Sequence, residues 1–324
     1  MSSRLRAYPS PLAYKEYAQP LSKSSTYMGS VISDMRYDAP VIPDMAIVMA
    51  FFNPGKSFRI IQNLYTIKQM LELSDIPFYV GEIAYNDVPF VLKNGPNIYQ
   101  YRTSSLMFYK ENLMTQVIKK LPESFTKVLI LDADIVFLDA DWYNKVSQAL
   151  NTHNVIQPFY NALQLNMTYG VEHTKQTVFA PICTEKPMHE GYAWAFQRKW
   201  LEEHPLFEYA IVGDGDTVLW NSVMNVNSID PIYQYDKEHI VISNPSCSYV
   251  NVNIAHLPHG AQKKRNYDIR TNIVGKIMKM FKITKLSDML YRSDDGVFEW
   301  NIKYRDLINA EFVAYFKDRE DDGI

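Results

Sequence analysis

Lys127-Val128-Leu129-Ile130-Leu131-Asp132-Ala133-Asp134-Ile135-Val136-Phe137-Leu138 is an apolar run of the kind that forms a buried parallel strand, with two carboxylates set into it. Asp is depleted in strands and is rarely fully buried unless paired or bound to a metal. Read as one strand over residues 128–137, the stretch sends Asp132 and Asp134 out on the same side, about 6–7 Å apart. Carboxylates at the carboxyl end of a buried strand lie where open α/β sheets hold their ligands. A divalent cation there would remove most of the repulsion between them. The plainer alternative is that the two aspartates end the strand and open a turn. The apolar run resumes at Ile135-Val136-Phe137-Leu138, which argues against it.

Upstream, residues 45–52 read as a first buried strand, closed by the turn Asn53-Pro54-Gly55. Ile60, Ile61, Leu64, Ile67, Met70 and Leu71 recur at helical spacing across residues 58–73. Residues 78–84 and 97–101 read as strands. Between residues 107 and 121, Leu113, Val117, Ile118 and Leu121 mark a second amphipathic helix. This alternation implies a mostly parallel sheet with right-handed crossovers.

Downstream, helices are expected over 142–150, 198–203 and 216–224. Strands are expected over 155–159, 176–180 and 191–196, with a polar loop over 161–174. Residues 272–318 read as mostly helical, in segments broken near 293–296. Pro9, Pro11, Pro20, Pro40 and Pro43 leave residues 1–43 without periodicity, an irregular arm with room for a short helix over 11–17. The expected division is an arm over 1–43, a catalytic domain over 44–271 and a helical C-terminal extension over 272–324.

The 324 residues are 47% hydrophobic and 21% charged, ordinary for a globular protein able to bury a sizeable core. A net charge of −3 does not point to nucleic acid or an anionic membrane. Cys183 and Cys247 form neither a disulfide framework nor a zinc signature. The first twenty residues lack an apolar signal core, and no apolar run is long enough to span a bilayer. A soluble, cytoplasmic protein is the expectation.

Further residues could carry chemistry. Val212-Gly213-Asp214-Gly215-Asp216-Thr217 puts two carboxylates in a flexible turn before an apolar helix. Asp216 suits a helix cap, but a cap needs neither a second acid nor two glycines. His256-Leu257-Pro258-His259 offers imidazoles in a rigid turn, a source of a metal ligand. Lys263-Lys264-Arg265 follows, a solvated basic run or a phosphate contact. Gly191, Tyr192 and Trp194 gather aromatic faces of the kind that stack on sugars, although such residues on strands are more often core.

In this order the pieces resemble the GT-A class of metal-dependent nucleotide-sugar glycosyltransferases, most of all the inverting beta-galactosyltransferase type. Phe108-Tyr109-Lys110 is similar to the aromatic-x-basic motif that opens a helix before the DxD motif. Phe51-Phe52-Asn53 resembles that family's nucleotide contact, and Gly213-Asp214-Gly215-Asp216 its Gly-Gly-Glu-Asp-Asp stretch. His256-Leu257-Pro258-His259 matches its Met-x-x-His spacing. The resemblance covers residues of roughly 45 to 270.

It implies an α/β GT-A (Rossmann-like) fold, a mostly parallel central sheet flanked by helices. It also implies Mn²⁺ or Mg²⁺ on Asp134, Asp132 and His259 or His256, a UDP-sugar donor and a glycan acceptor. Phe51, Phe52, Asn53, Phe108, Lys110, Asp132, Lys263 and Arg265 would contact the donor. Asp216 would be the general base and Asp214 would hold a sugar hydroxyl. Gly215 and His256 depart from the family pattern, leaving either acid as base and either imidazole as ligand. The chain is similar in lacking an anchor to soluble enzymes of bacteria and large DNA viruses.

Two rival readings remain. Residues 129–134 and 212–216 also resemble the nucleophile strand and acidic motif of haloacid-dehalogenase phosphatases. That family usually begins with the strand, whereas two elements precede it here, and the His turn would have no role. A non-catalytic glycan-binding protein is the other rival. Donor sugar, acceptor, linkage and oligomeric state are not encoded in any motif.

Overall fold

The two most apolar stretches become the central pair of a sheet. In the computed structural model, which describes residues 27–180, 187–226, 229–241 and 243–323, the chain runs α1 (Gly29–Asp34), β1 (Met45–Phe52), α2 (Phe58–Leu73), β2 (Phe78–Tyr85), β3 (Ile98–Thr103), α3 (Lys110–Ile118), β4 (Lys127–Leu131), β5 (Ile135–Phe137), α4 (Trp142–Ala149) and β6 (Val155–Gln157). It continues through β7 (Asn161–Leu165), β8 (Val171–Thr177), β9 (Met188–His189), β10 (Ala193–Gln197), α5 (Arg198–Glu203), α6 (Gly215–Val223), β11 (Cys247–Tyr249), β12 (Asn253–His256), α7 (Tyr267–Phe281), β13 (Leu290–Arg292), β14 (Phe298–Trp300) and α8 (Ile302–Asp318).

Among the described residues a seven-stranded sheet has the order β11-β6-β10-β4-β1-β2-β3. It is parallel except for β10, which runs against β4 and β6. Successive residues of a strand face opposite sides, and both sides are covered. Met45, Ile47, Met49, Leu129 and Leu131 face a core shared with α2 and α4. Ala46, Val48, Val128 and Ile130 face one shared with α3 and α5. A sheet with helices on both faces is what such continuous apolar strands require.

The DxD stretch is not one strand. β4 ends at Leu131, residues 132–134 turn, and β5 resumes the apolar run in a second sheet of order β5-β12-β7-β8-β9. The turn reading was the right one for backbone shape, and burial of β5 explains why the sequence stays apolar. The expected polar loop over 161–174 is largely the β7–β8 pair. The break near 293–296 is the turn of the β13–β14 hairpin, so strand occupies part of a segment expected to be helical.

From residue 27 the N-terminal segment lies against the body, with Met28 donating its N–H to the Tyr169 carbonyl at 2.8 Å. The short helix expected over 11–17 and Cys183 lie outside the described residues. α7, α8 and β14 share a core with β2, β3 and α3. Among the described residues no helix is long and apolar enough to cross a membrane.

Candidate active site

Strand ends and helix starts converge on a cleft of about 350 Å³. β1 delivers Phe51, Phe52 and Asn53; the turn after β4 delivers Asp132 and Asp134; α3 and α6 begin at Lys110 and Gly215.

One side is built by β12. It pairs antiparallel with β5, placing His256 opposite Ile135, and the Leu257 N–H donates to the Asp134 carbonyl at 2.8 Å. That register brings the His256 Nε2 to 3.4 Å and the His259 Nε2 to 2.9 Å from Asp134 Oδ2. The potential ligand atoms of Asp134, His256 and His259 lie within 4.8 Å of one another. Both imidazoles, not one, therefore face the carboxylate.

Burial pulls the His256 imidazole down to about 4 against the opposing pull of Asp134. Burial opposes ionisation of Asp134, but hydrogen bonding and charge from the two imidazoles hold it well below the usual carboxylate range. Asp134 Oδ1 is buried with no hydrogen-bond partner among the described residues. A buried orphan oxygen beside two imidazole nitrogens fits a divalent cation. The outer nitrogens also have partners, since Gln164 contacts His256 Nδ1 at 2.5 Å and Asp321 contacts His259 Nδ1 at 3.3 Å.

The other side is built around Lys110. Its ammonium lies 2.7 Å from Asp132 Oδ1 and 2.8 and 3.0 Å from the two Asp216 oxygens. Burial opposes the charge on Lys110, yet Asp132 and Asp216 hold its amine well above the ordinary value. Burial pushes Asp132 up to about 6 against the pull of Lys110, and Glu111 up to about 8. Asp132 thus sits with Lys110, while Asp134 sits with the two imidazoles.

α6 opens on Asp214, in a left-handed conformation at φ 64°, with Asp216 in its first turn. Asp216 is therefore not the cap. Asp214 pairs with Arg270 at 3.2 Å, and burial raises its carboxyl against that partner. Gly213 has φ +94°, and a side chain there would overlap the Arg270 guanidinium; one at Gly215 would overlap the Glu111 carboxylate. Packing thus explains a glycine at 215 where the resemblance implies an acid.

The remaining expected residues divide. Phe51, Phe52, Asn53, Phe108, Arg265, Gly191 and Tyr192 line the cleft. The Phe52 and Phe108 rings meet edge to face, centroids 6.0 Å apart. Asn53 closes the turn into α2 through paired bonds with the Ser57 backbone at 2.7 and 2.9 Å. Trp194 is 1% exposed, donates Nε1–H to the Glu190 carbonyl at 2.7 Å and does not line the cleft. It is a core residue, which corrects its expected sugar contact. Lys263 is exposed and away from the cleft lining, unlike Arg265.

Sequence reasoning missed Glu111, Gln164, Arg270, Arg319 and Asp321. None belongs to a motif; only Glu111, adjacent to Lys110, had a signal that could have found it.

No protein-family model and no curated protein matches the chain. Solved structures similar to it include Drosophila beta-1,4-galactosyltransferase 7 with manganese, UDP-Gal and xylobiose (8% identity, 82% of this chain and 98% of that one, TM-score 0.40). Others are a Pyrobaculum calidifontis mannosyltransferase with GDP-Man and Mn²⁺ (13%, 94% and 77%, TM-score 0.38) and a 4-diphosphocytidyl-2C-methyl-D-erythritol synthase from Anaerococcus prevotii (11%, 64% and 88%, TM-score 0.30). The chain resembles all three loosely, across proteins of different names.

Proposed function

We propose that the protein is a metal-dependent glycosyltransferase that moves a sugar from a nucleotide-diphosphate donor, a UDP-sugar in the first instance, to a glycan hydroxyl with inversion. One observation carries this reading. Asp134, His256 and His259 meet beside a cleft that also holds Lys110, Arg265, Arg270 and Arg319. The cleft also carries carboxylates, several of them paired with these side chains, and a bound cation would tip the balance so that a diphosphate fits beside it.

Asp134, His256 and His259 would hold the cation, and two imidazoles with one carboxylate favour Mn²⁺ over all-oxygen Mg²⁺ coordination. When bound, it supplies Lewis-acid neutralisation of the leaving diphosphate. Arg265, Arg270 and Arg319 hold phosphate oxygens, while Phe51, Phe52, Asn53 and Phe108 border the nucleotide. The acceptor hydroxyl has a pKa far above neutrality, so a base must take its proton as it attacks. Asp216 does so, oriented by the Lys110 ammonium at 2.8 Å, and Asp214 holds a sugar hydroxyl. Attack opposite the leaving group inverts the anomeric carbon. Gly191 and Tyr192 border the acceptor.

A thermal-shift series of UDP- and GDP-sugars with and without Mn²⁺, followed by a transfer assay, tests the reading. Stabilisation by one nucleotide sugar that requires Mn²⁺ is expected. Asp216→Asn should retain that stabilisation and lose transfer; undiminished turnover removes Asp216 as the base.

A second reading rests on Lys110 bridging Asp132 and Asp216, an array that also suits an aspartyl-phosphate phosphatase with Asp132 as nucleophile. It leaves the two imidazoles idle. Phosphate release from an aryl phosphate would favour it.

A further inference from the structure

We infer that Asp321, in the tail after α8, is a positioning residue that fixes the His259 imidazole as a metal ligand, an inference that rests on the metal reading above. The ring has two nitrogens, and only the unprotonated one can bind a cation. Asp321 Oδ1 lies 3.3 Å from Nδ1, while Nε2 lies 2.9 Å from Asp134 Oδ2. A carboxylate accepts but cannot donate. Asp321 therefore favours the tautomer with the proton on Nδ1, against Asp134, which alone would draw the proton to Nε2 until a cation takes that place. The Arg265 guanidinium, 2.9 Å from the same Nε2, agrees with this tautomer, because a guanidinium donates and needs a lone pair to receive it.

The tail is built to hold this carboxylate in place. Asp321 is 7% exposed, and Arg319 donates to its Oδ1 at 3.1 Å. The next residue, Asp322, accepts from Ser57 Oγ at 2.6 Å and from the Arg59 N–H at 2.8 Å. That anchors the chain to the first turn of α2. On the other side the tail backbone packs against Gly260. A Cβ there would meet the Arg319 carbonyl, the Glu320 carbonyl and the Asp321 Cα at 3.1 Å each, and Gly260 has φ +59°. A side chain at residue 260 would thus be strained by its backbone and would press the tail away by a few tenths of an ångström.

An outer partner of a ligating His is worth about 10- to 100-fold in metal affinity. Asp321→Ala should therefore weaken Mn²⁺ binding by that factor, read from free Mn²⁺ by electron paramagnetic resonance on the full chain without nucleotide. Asp321→Asn keeps an acceptor oxygen and should recover most of the loss. An unchanged affinity in a folded Asp321→Ala protein overturns the inference. Nitrogen-15 NMR of the imidazoles in the parent loaded with Zn²⁺ as a diamagnetic probe gives a second reading that needs no variant: His259 should keep its proton on Nδ1, and ligation through Nδ1 overturns the inference. A parent protein that takes up no Mn²⁺ overturns the metal reading, whereas uptake with an indifferent Asp321 removes only the tail's part in it.

Discussion

Asp132 and Asp134 stand two residues apart in one turn and occupy opposite electrostatic settings. Asp134 faces two imidazoles and is held well below the usual carboxylate range, whereas Asp132 faces one ammonium, which does not offset its burial, and rises to about 6. The difference comes from the strand break. An extended chain would have pointed both acids one way; the turn into β5 gives each its own neighbours. A two-carboxylate motif is thus split into an imidazole-facing half and a charge-network half.

The sharpest way to break the comparison is to remove each acid in turn. Asp134→Ala removes the carboxylate proposed to hold the cation and should weaken Mn²⁺ binding beyond the about 100-fold ceiling for an outer partner, by calorimetry. Asp132→Ala should change the metal affinity far less. Equal losses in the two variants would mean that both acids ligate, as the sequence first implied.

Lys110→Met tests the other half. It strands two partly buried carboxylates and should cost about 1–3 kcal/mol of stability, between the exposed and fully buried cases, by urea unfolding. Mn²⁺ affinity should hold. A variant as stable as the parent would mean that Lys110 is not the charge centre of its side.

How much of this was legible depends on what each residue leaves in the sequence. Apolar continuity marked β1 and β4, because strands buried on both faces must be apolar throughout. The same continuity hid the break at residues 132–134, since β5 is buried as deeply as β4. Glycine spacing marked the turn before α6, but its cause, the Arg270 and Glu111 side chains packed on Gly213 and Gly215, is a tertiary fact. The His turn was visible as a pair, though not that β12 would aim both rings at one oxygen. Asp321 and Arg319 lie in a charged tail, Lys317-Asp318-Arg319-Glu320-Asp321-Asp322, where any one charge looks like solvated surface.

The two halves should also answer pH in opposite directions. Burial lifts Glu111 to about 8, so the folded state favours its proton. That stability is complete below the ordinary carboxylate value and is lost as pH rises towards 8. Burial lowers His256 to about 4, and its contribution is complete above the ordinary imidazole value and lost as pH falls to 4. Glu111→Gln should flatten only the alkaline limb of a stability–pH curve, removing a slope of at most about 1.4 kcal/mol per pH unit. A change on the acid limb instead would assign that proton to the imidazole side.

The smallest expected effect separates two neighbours that the sequence treated alike. Lys263 and Arg265 belong to one basic run, yet only Arg265 lines the cleft and reaches His259. An exposed charge contributes little, so Lys263→Ala should alter nucleotide-sugar binding by less than about 3-fold. Arg265→Ala removes a charged hydrogen-bond donor from the diphosphate side and should cost about 10- to 100-fold. Because that guanidinium also meets the Nε2 through which His259 would bind a cation, its loss should leave Mn²⁺ affinity without nucleotide unchanged or tighter. A joint loss of nucleotide and metal binding would mean that Arg265 supports the imidazole half, and a comparable loss on removing Lys263 would mean that the diphosphate lies outside the cleft altogether.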